Sequence, residues 1–147
     1  ETAIDIYRQV GARLGEANTL KAIGDVQQFL DRREEALSNY ETAIDIYRQV
    51  GARLGEANVM QELGKLQDDP KRAISWLRQA QDIYVQIGDV YSQSRNLLFI
   101  ALGHQEADNT TAALDSLQQS LVLARQINFE PFIGYAETQI DKLQSER

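Results

Sequence analysis

The sequence predicts an all-α solenoid of antiparallel helix pairs, and three observations carry that prediction. The stretch ETAIDIYRQVGARLGEAN stands at residues 1–18 and again, letter for letter, at 41–58, an offset of 40 residues. Self-similarity at a fixed period of about 20 to 50 residues marks a stacked-repeat architecture. Apolar residues recur at helical spacing: Ala36, Leu37, Tyr40, Ala43, Ile44, Tyr47 and Val50 form one continuous three-four stripe. Only 2 of the 147 residues are proline, and no β-branched run competes for strand.

The first complete unit shows how each pair is built. Ala17, Leu20, Ile23, Gly24 and Leu30 form the stripe of a first helix over 14–30. A short link leads to a second helix over 33–50. Asp31 is expected to cap it, with Glu34 three residues on, and Gly51 suits a left-handed stop. A second pair follows over 54–67 and 70–87, with Asp69-Pro70 as cap and first helical residue. Its link is shorter: Gly64 to Ala73 is nine residues where Gly24 to Ala36 is twelve. A third pair covers 89–105 and 110–127. Residues 1–10 repeat the end of a second helix, and 131–146 supply a first helix with Ile133, Ala136, Ile140 and Leu143 on one face. The expectation is three full pairs with a half at each end, eight helices in one continuous domain over 1–147, a fragment of a longer repeat protein.

Composition narrows function. The balance of 43% hydrophobic and 25% charged residues is that of a folded globular chain. A net charge of −7, from 15 basic and 22 acidic residues, argues against nucleic acid or an anionic membrane as partner. With 0 cysteines there is no disulfide framework or thiolate metal site; this fits a reducing, cytoplasmic setting. The longest apolar run, residues 97–102, falls far short of the ~20 residues of a membrane span.

Small and large residues alternate as close helix packing requires. Leu20, Ile23, Gly24, then Ala36, Tyr40 and Ala43 resemble the tetratricopeptide repeat. Met60, Leu63, Gly64, Ala73, Leu77 and Ala80 match again, and so do Leu97, Ile100, Ala101, Ala113, Leu117 and Ser120 with small-for-small exchanges. The 40-residue period is similar to the long-helix variety of kinesin light chains and of bacterial signalling and scaffold proteins. The resemblance spans essentially the whole chain. It implies a right-handed superhelix whose first helices line a concave groove, and a protein-interaction scaffold that takes a peptide or partner segment there.

On that geometry the groove residues are Asn18, Lys21, Asp25 and Gln28, then Asn58, Gln61 and Lys65, then Arg95, Leu98, Leu102 and Gln105. The carboxylate clamp of chaperone-binding relatives is not expected, because Asp25 and Glu62 stand where it uses asparagine. Nor is an asparagine ladder, because Ala22, Glu62 and Phe99 hold those places. An alternative is self-association through open apolar ends, Ile4, Ile6, Tyr7 and Val10 at one and Ile140 and Leu143 at the other, with end-to-end stacking of copies. A third reading is a regulatory sensor arm of a larger multidomain protein.

No catalytic residues, metal site or cofactor are expected. No nucleophile motif, phosphate loop or calcium loop is present. The single histidine, His104, stands where a packed ring belongs. Asp69 beside Asp68 is accounted for as a helix cap, and Asn109-Thr110-Thr111 reads as a helix start rather than a glycosylation acceptor.

Overall fold

A computed structural model describes residues 2–146. Among them are seven helices and no strand: α1 (Ala3–Phe29), α2 (Arg33–Val50), α3 (Arg53–Lys65), α4 (Pro70–Ile87), α5 (Val90–Glu106), α6 (Thr110–Gln126) and α7 (Glu130–Ser145). They fall into two compact units, Glu1–Leu66 and Gln67–Arg147, and within each unit consecutive helices pack on one another. This is the all-α repeat pattern expected, with one helix fewer.

The missing boundary lies in the first unit. The second copy of the 18-residue stretch breaks at Gly51, which takes φ 72°, and Ala52 closes the turn with a bond from its N–H to Tyr47 O at 2.9 Å. The first copy does not break: Gly11 lies inside α1, and residues 3–29 form one 27-residue helix. The expected separate helix over 1–10 is therefore fused to its successor. The difference lies in packing. Tyr47 is 2% exposed, held between Gly55 of α3 and Asn18 of α1, whose Oδ1 accepts from its hydroxyl at 2.6 Å. Tyr7, its counterpart, has no second wall among the described residues and is 81% exposed. Without that packing, continuing the helix wins, since each further residue adds a backbone hydrogen bond. Thr2 and Asp5 close a capping box at the start of α1, whereas their counterparts Thr42 and Asp45 lie inside α2.

Asp31 does not cap α2. It takes φ 59° and ends α1, while the N–H of Arg32 reaches Gln27 O at 2.8 Å. Aspartate tolerates the left-handed region better than most side chains. The N-cap of α2 is Arg32, which makes no side-chain cap bond. The core between α1 and α2 is set by a close approach: a Cβ on Gly24 would stand 2.7 Å from Tyr40 Cε1.

In the second unit Asp69-Pro70 and Asn109 start their helices as expected, and the stops at Gly88, Asp108 and Asn128 are seen in the structure. Asp69 accepts from Lys71 N–H at 3.1 Å, with Pro70 opening α4. Gly88 ends α4 at φ 81°, and Asn109 accepts from Ala112 N–H at 3.1 Å to open α6. Asp108 and Asn128 take the left-handed conformation after α5 and α6. One core cluster joins Leu77, Leu97 and Ile100. Another joins Leu98, Ala101, Leu117 and Ala136, with Phe132, Ile140 and Leu143 packed against it. Between α5 and α6, Ser94 and Ser120 are both fully buried and each hydroxyl donates to the other's backbone carbonyl, at 2.9 and 2.8 Å. Each small side chain thereby satisfies its polar atom where the axes come close.

Candidate functional site

A stripe on α5 and a stripe on α7 face a common cleft. Arg95, Leu98, Phe99 and Leu102 follow a three-four spacing on α5, so they share one face. Pro131, Phe132 and Tyr135 supply the opposite wall from α7, and both helices pack on α6. The cleft is about 450 Å³. Its lining is apolar apart from Arg95 and the hydroxyl of Tyr135. Leu102 and Tyr135 remain 39% exposed at its rim.

Three aromatic rings brace one end. Phe129 and Phe132 meet edge-on with centroids 4.5 Å apart, and Tyr91 lies 5.2 and 5.1 Å from them. These are the preferred separations for ring pairs. Tyr91 in turn sits beneath the Arg95 guanidinium, whose central carbon is 5.4 Å from the ring centroid. The Nε of Arg95 is buried and has no hydrogen-bond partner among the described residues. A buried donor left unpaired costs free energy that a matching acceptor would recover.

The first unit holds a mostly apolar cleft of about 610 Å³, lined by Asn18, Ala22, Ile23, Val26 and Leu30 among others, and two smaller clefts with more polar linings. One of the smaller two, about 510 Å³, is lined by Asn18, Lys21, Tyr47 and Asn58 among others. The other, about 320 Å³, is lined by Asp25, Gln28, Phe29, Glu62 and Lys65. Asp25 is committed to its neighbours: it accepts from Lys21 Nζ at 2.9 Å and from the Tyr40 hydroxyl at 2.6 Å. Burial, this bond and the nearby Glu62 and Asp25 carboxylates raise the Tyr40 hydroxyl far above its ordinary range.

Of the groove residues expected from sequence, Arg95, Leu98 and Leu102 therefore meet in one cleft of the second unit. Asn18, Lys21 and Asn58 share one in the first, and Asp25, Gln28 and Lys65 another. Gln61 is 3% exposed and Gln105 half-buried; neither lines these clefts. Tyr91, Phe129, Pro131, Phe132 and Tyr135 did not stand out in the sequence. The first-helix rule that picked out Arg95 on α5 extends to α7, and carried one helix further it points to Phe132 and Tyr135.

A family model described as tetratricopeptide repeat matches residues 1–49 and 17–84. The chain belongs to the tetratricopeptide repeat family. A comparison with curated proteins finds no match. Tetratricopeptide repeats mediate protein–protein interactions, and the fold is typically a non-enzymatic scaffold. Among the described residues, no three histidine, cysteine or acidic side chains are grouped to hold a metal, and no helix is long and apolar enough to cross a membrane. His104 is 9% exposed and lies 3.3 Å from Arg78 Nη2. Arginine only donates, so His104 Nε2 accepts. Burial and the Arg78 charge hold its pKa below the ordinary value, against a smaller opposite pull from Asp115. It is a packed, neutral ring.

Proposed function

We propose that this tetratricopeptide repeat chain is a scaffold that binds an apolar partner segment bearing a carboxylate in the α5–α7 cleft. The observation that carries this is the Arg95 guanidinium, with a buried Nε unpartnered among the described residues, in an otherwise apolar cleft of Leu98, Phe99, Leu102, Pro131, Phe132 and Tyr135. Apolar side chains supply burial, and one charge-assisted bond to Arg95 supplies register. No cofactor, nucleic acid or membrane enters this reading.

The test is calorimetric titration with acetylated hexapeptides holding a Leu-Phe core, with flanking aspartates or with serines in their place. The aspartate peptide is expected to bind more tightly. Arg95→Gln should weaken it by about tenfold, the equivalent of about 1.4 kcal/mol, and Lys21→Glu in the other unit should leave it unchanged. Equal affinity for the two peptides, or indifference to Arg95→Gln, defeats the proposal.

A different observation favours a second reading, self-association. Ile4, Ile6, Tyr7 and Val10 are 63%, 49%, 81% and 42% exposed, an open apolar face on α1. Ile140 and Leu143, by contrast, pack against the second unit's core.

A further inference from the structure

The duplicated stretch occurs in two conformations within one chain. At 41–58 it folds back on itself. There Tyr47 lies over Gly55 so closely that a Cβ on Gly55 would stand 2.5 Å from the ring, and Arg48 Nε meets the buried Glu56 carboxylate at 3.1 Å. At 1–18 the same four residues are Tyr7, Arg8, Gly15 and Glu16, and none of these contacts is made. Among the described residues nothing lies within 4 Å of the place a Cβ on Gly15 would occupy, Tyr7 is 81% exposed, and the Glu16 side chain is 51% exposed.

Both halves of a packing unit are thus present and open. They cannot meet within the chain while α1 is straight, because eight residues along a helix separate them by about 12 Å. A second copy can bring them together. Hinge opening of this kind, with the same contacts remade between chains, is domain exchange.

We propose that two copies of this chain pair through antiparallel α1 helices crossing at Gly11, each seating Tyr7 on the partner's Gly15 and Arg8 beside the partner's Glu16. The register follows from the folded-back copy: Tyr47 opposite Gly55 is centred on residue 51, so Tyr7 opposite Gly15 is centred on residue 11. The contact is isologous and closes at a dimer. Gly11 and Gly15 lie one turn apart and let the two axes approach where large side chains would hold them off. The charges are complementary in the same sense as Arg48 and Glu56. This inference rests on the self-association reading and gives it a partner, a register and a stoichiometry.

Sedimentation velocity over a wide concentration range tests it, with wild type, Tyr7→Ala and Gly15→Ala. Both positions are open in the single chain, so neither substitution disturbs its fold, and circular dichroism confirms that helix content is kept. Wild type is expected to pass from monomer to dimer, and each variant to raise the dimer dissociation constant by at least about tenfold. A wild type that stays monomeric overturns both this pairing and the self-association reading. Association that grows beyond a dimer, or a dimer indifferent to Gly15→Ala, overturns the pairing alone.

Discussion

At the scale of single residues, Gly24 and Tyr40 show how a repeat position becomes a constraint. Glycine inside a helix costs about 1 kcal/mol relative to alanine, yet here a methyl would press on the Tyr40 ring at 2.7 Å. That ring is fully buried and its hydroxyl is tied to Asp25, so it cannot move aside. Gly24→Ala is expected to destabilise the protein by about 1–3 kcal/mol, the usual cost of overpacking, despite its better helix propensity. Denaturant titration of the variant checks this, and a gain in stability would show that the ring yields. His104 sets a pH dependence. Its folded pKa is lowered from 6.5, so the unfolded chain takes up its proton first. Stability is full above pH 6.5 and declines as pH falls below it. His104→Gln should flatten the slope of stability between neutral pH and pH 5; an unchanged slope would assign the loss to other groups.

At the scale of elements, most of the helices were legible because their signals are local. Stripe spacing located them to within a few residues. Asp69-Pro70, Gly51 and Asn109 act as their chemistry requires, because caps and stops depend on side chains a few positions apart. The fusion of residues 3–10 into α1 was not legible, and no property of those residues could have revealed it: the same letters fold both ways. What decides is the neighbour, a wall that Tyr47 has and that the described residues do not give Tyr7. Asp31 shows the same limit more modestly, since a cap and a left-handed stop both favour aspartate. The cleft was half legible. Arg95, Leu98 and Leu102 lie on a stripe that spacing reveals, but the α7 wall and the ring brace depend on which helices α6 brings together. Two glycines measure the conformational difference directly. Gly11→Ala removes a weak point from the middle of a straight helix and, measured at concentrations where the chain is monomeric, should stabilise by up to about 1 kcal/mol. Gly51→Ala places a Cβ at φ 72° and should destabilise by about 1 kcal/mol or more. Thermal unfolding of the pair decides it: effects of the same sign would mean that the two copies share one conformation.

At the scale of the whole molecule, the chain is an array with two compact units rather than one centre. Stability in such arrays is approximately a sum of unit terms and nearest-neighbour terms, so a lesion need not be felt equally throughout. The sequence supplies a reporter for this: the only tryptophan, Trp76, lies half-buried on α4 in the second unit. Tyr40 lies at the core of the first unit, fully buried between Gly24 and Asp25. Tyr40→Ala leaves a cavity and removes one of the bonds to the Asp25 carboxylate, which keeps its pairing with Lys21, and should cost the first unit about 3–5 kcal/mol. Circular dichroism senses both units, whereas Trp76 fluorescence senses the second. In wild type the two denaturation curves are expected to lie close together. In Tyr40→Ala the dichroism should begin to fall at lower denaturant while the Trp76 transition keeps most of its midpoint. If both signals moved together by the full amount, the energetic coupling between units would exceed the stability of either, and the chain would unfold as a single body.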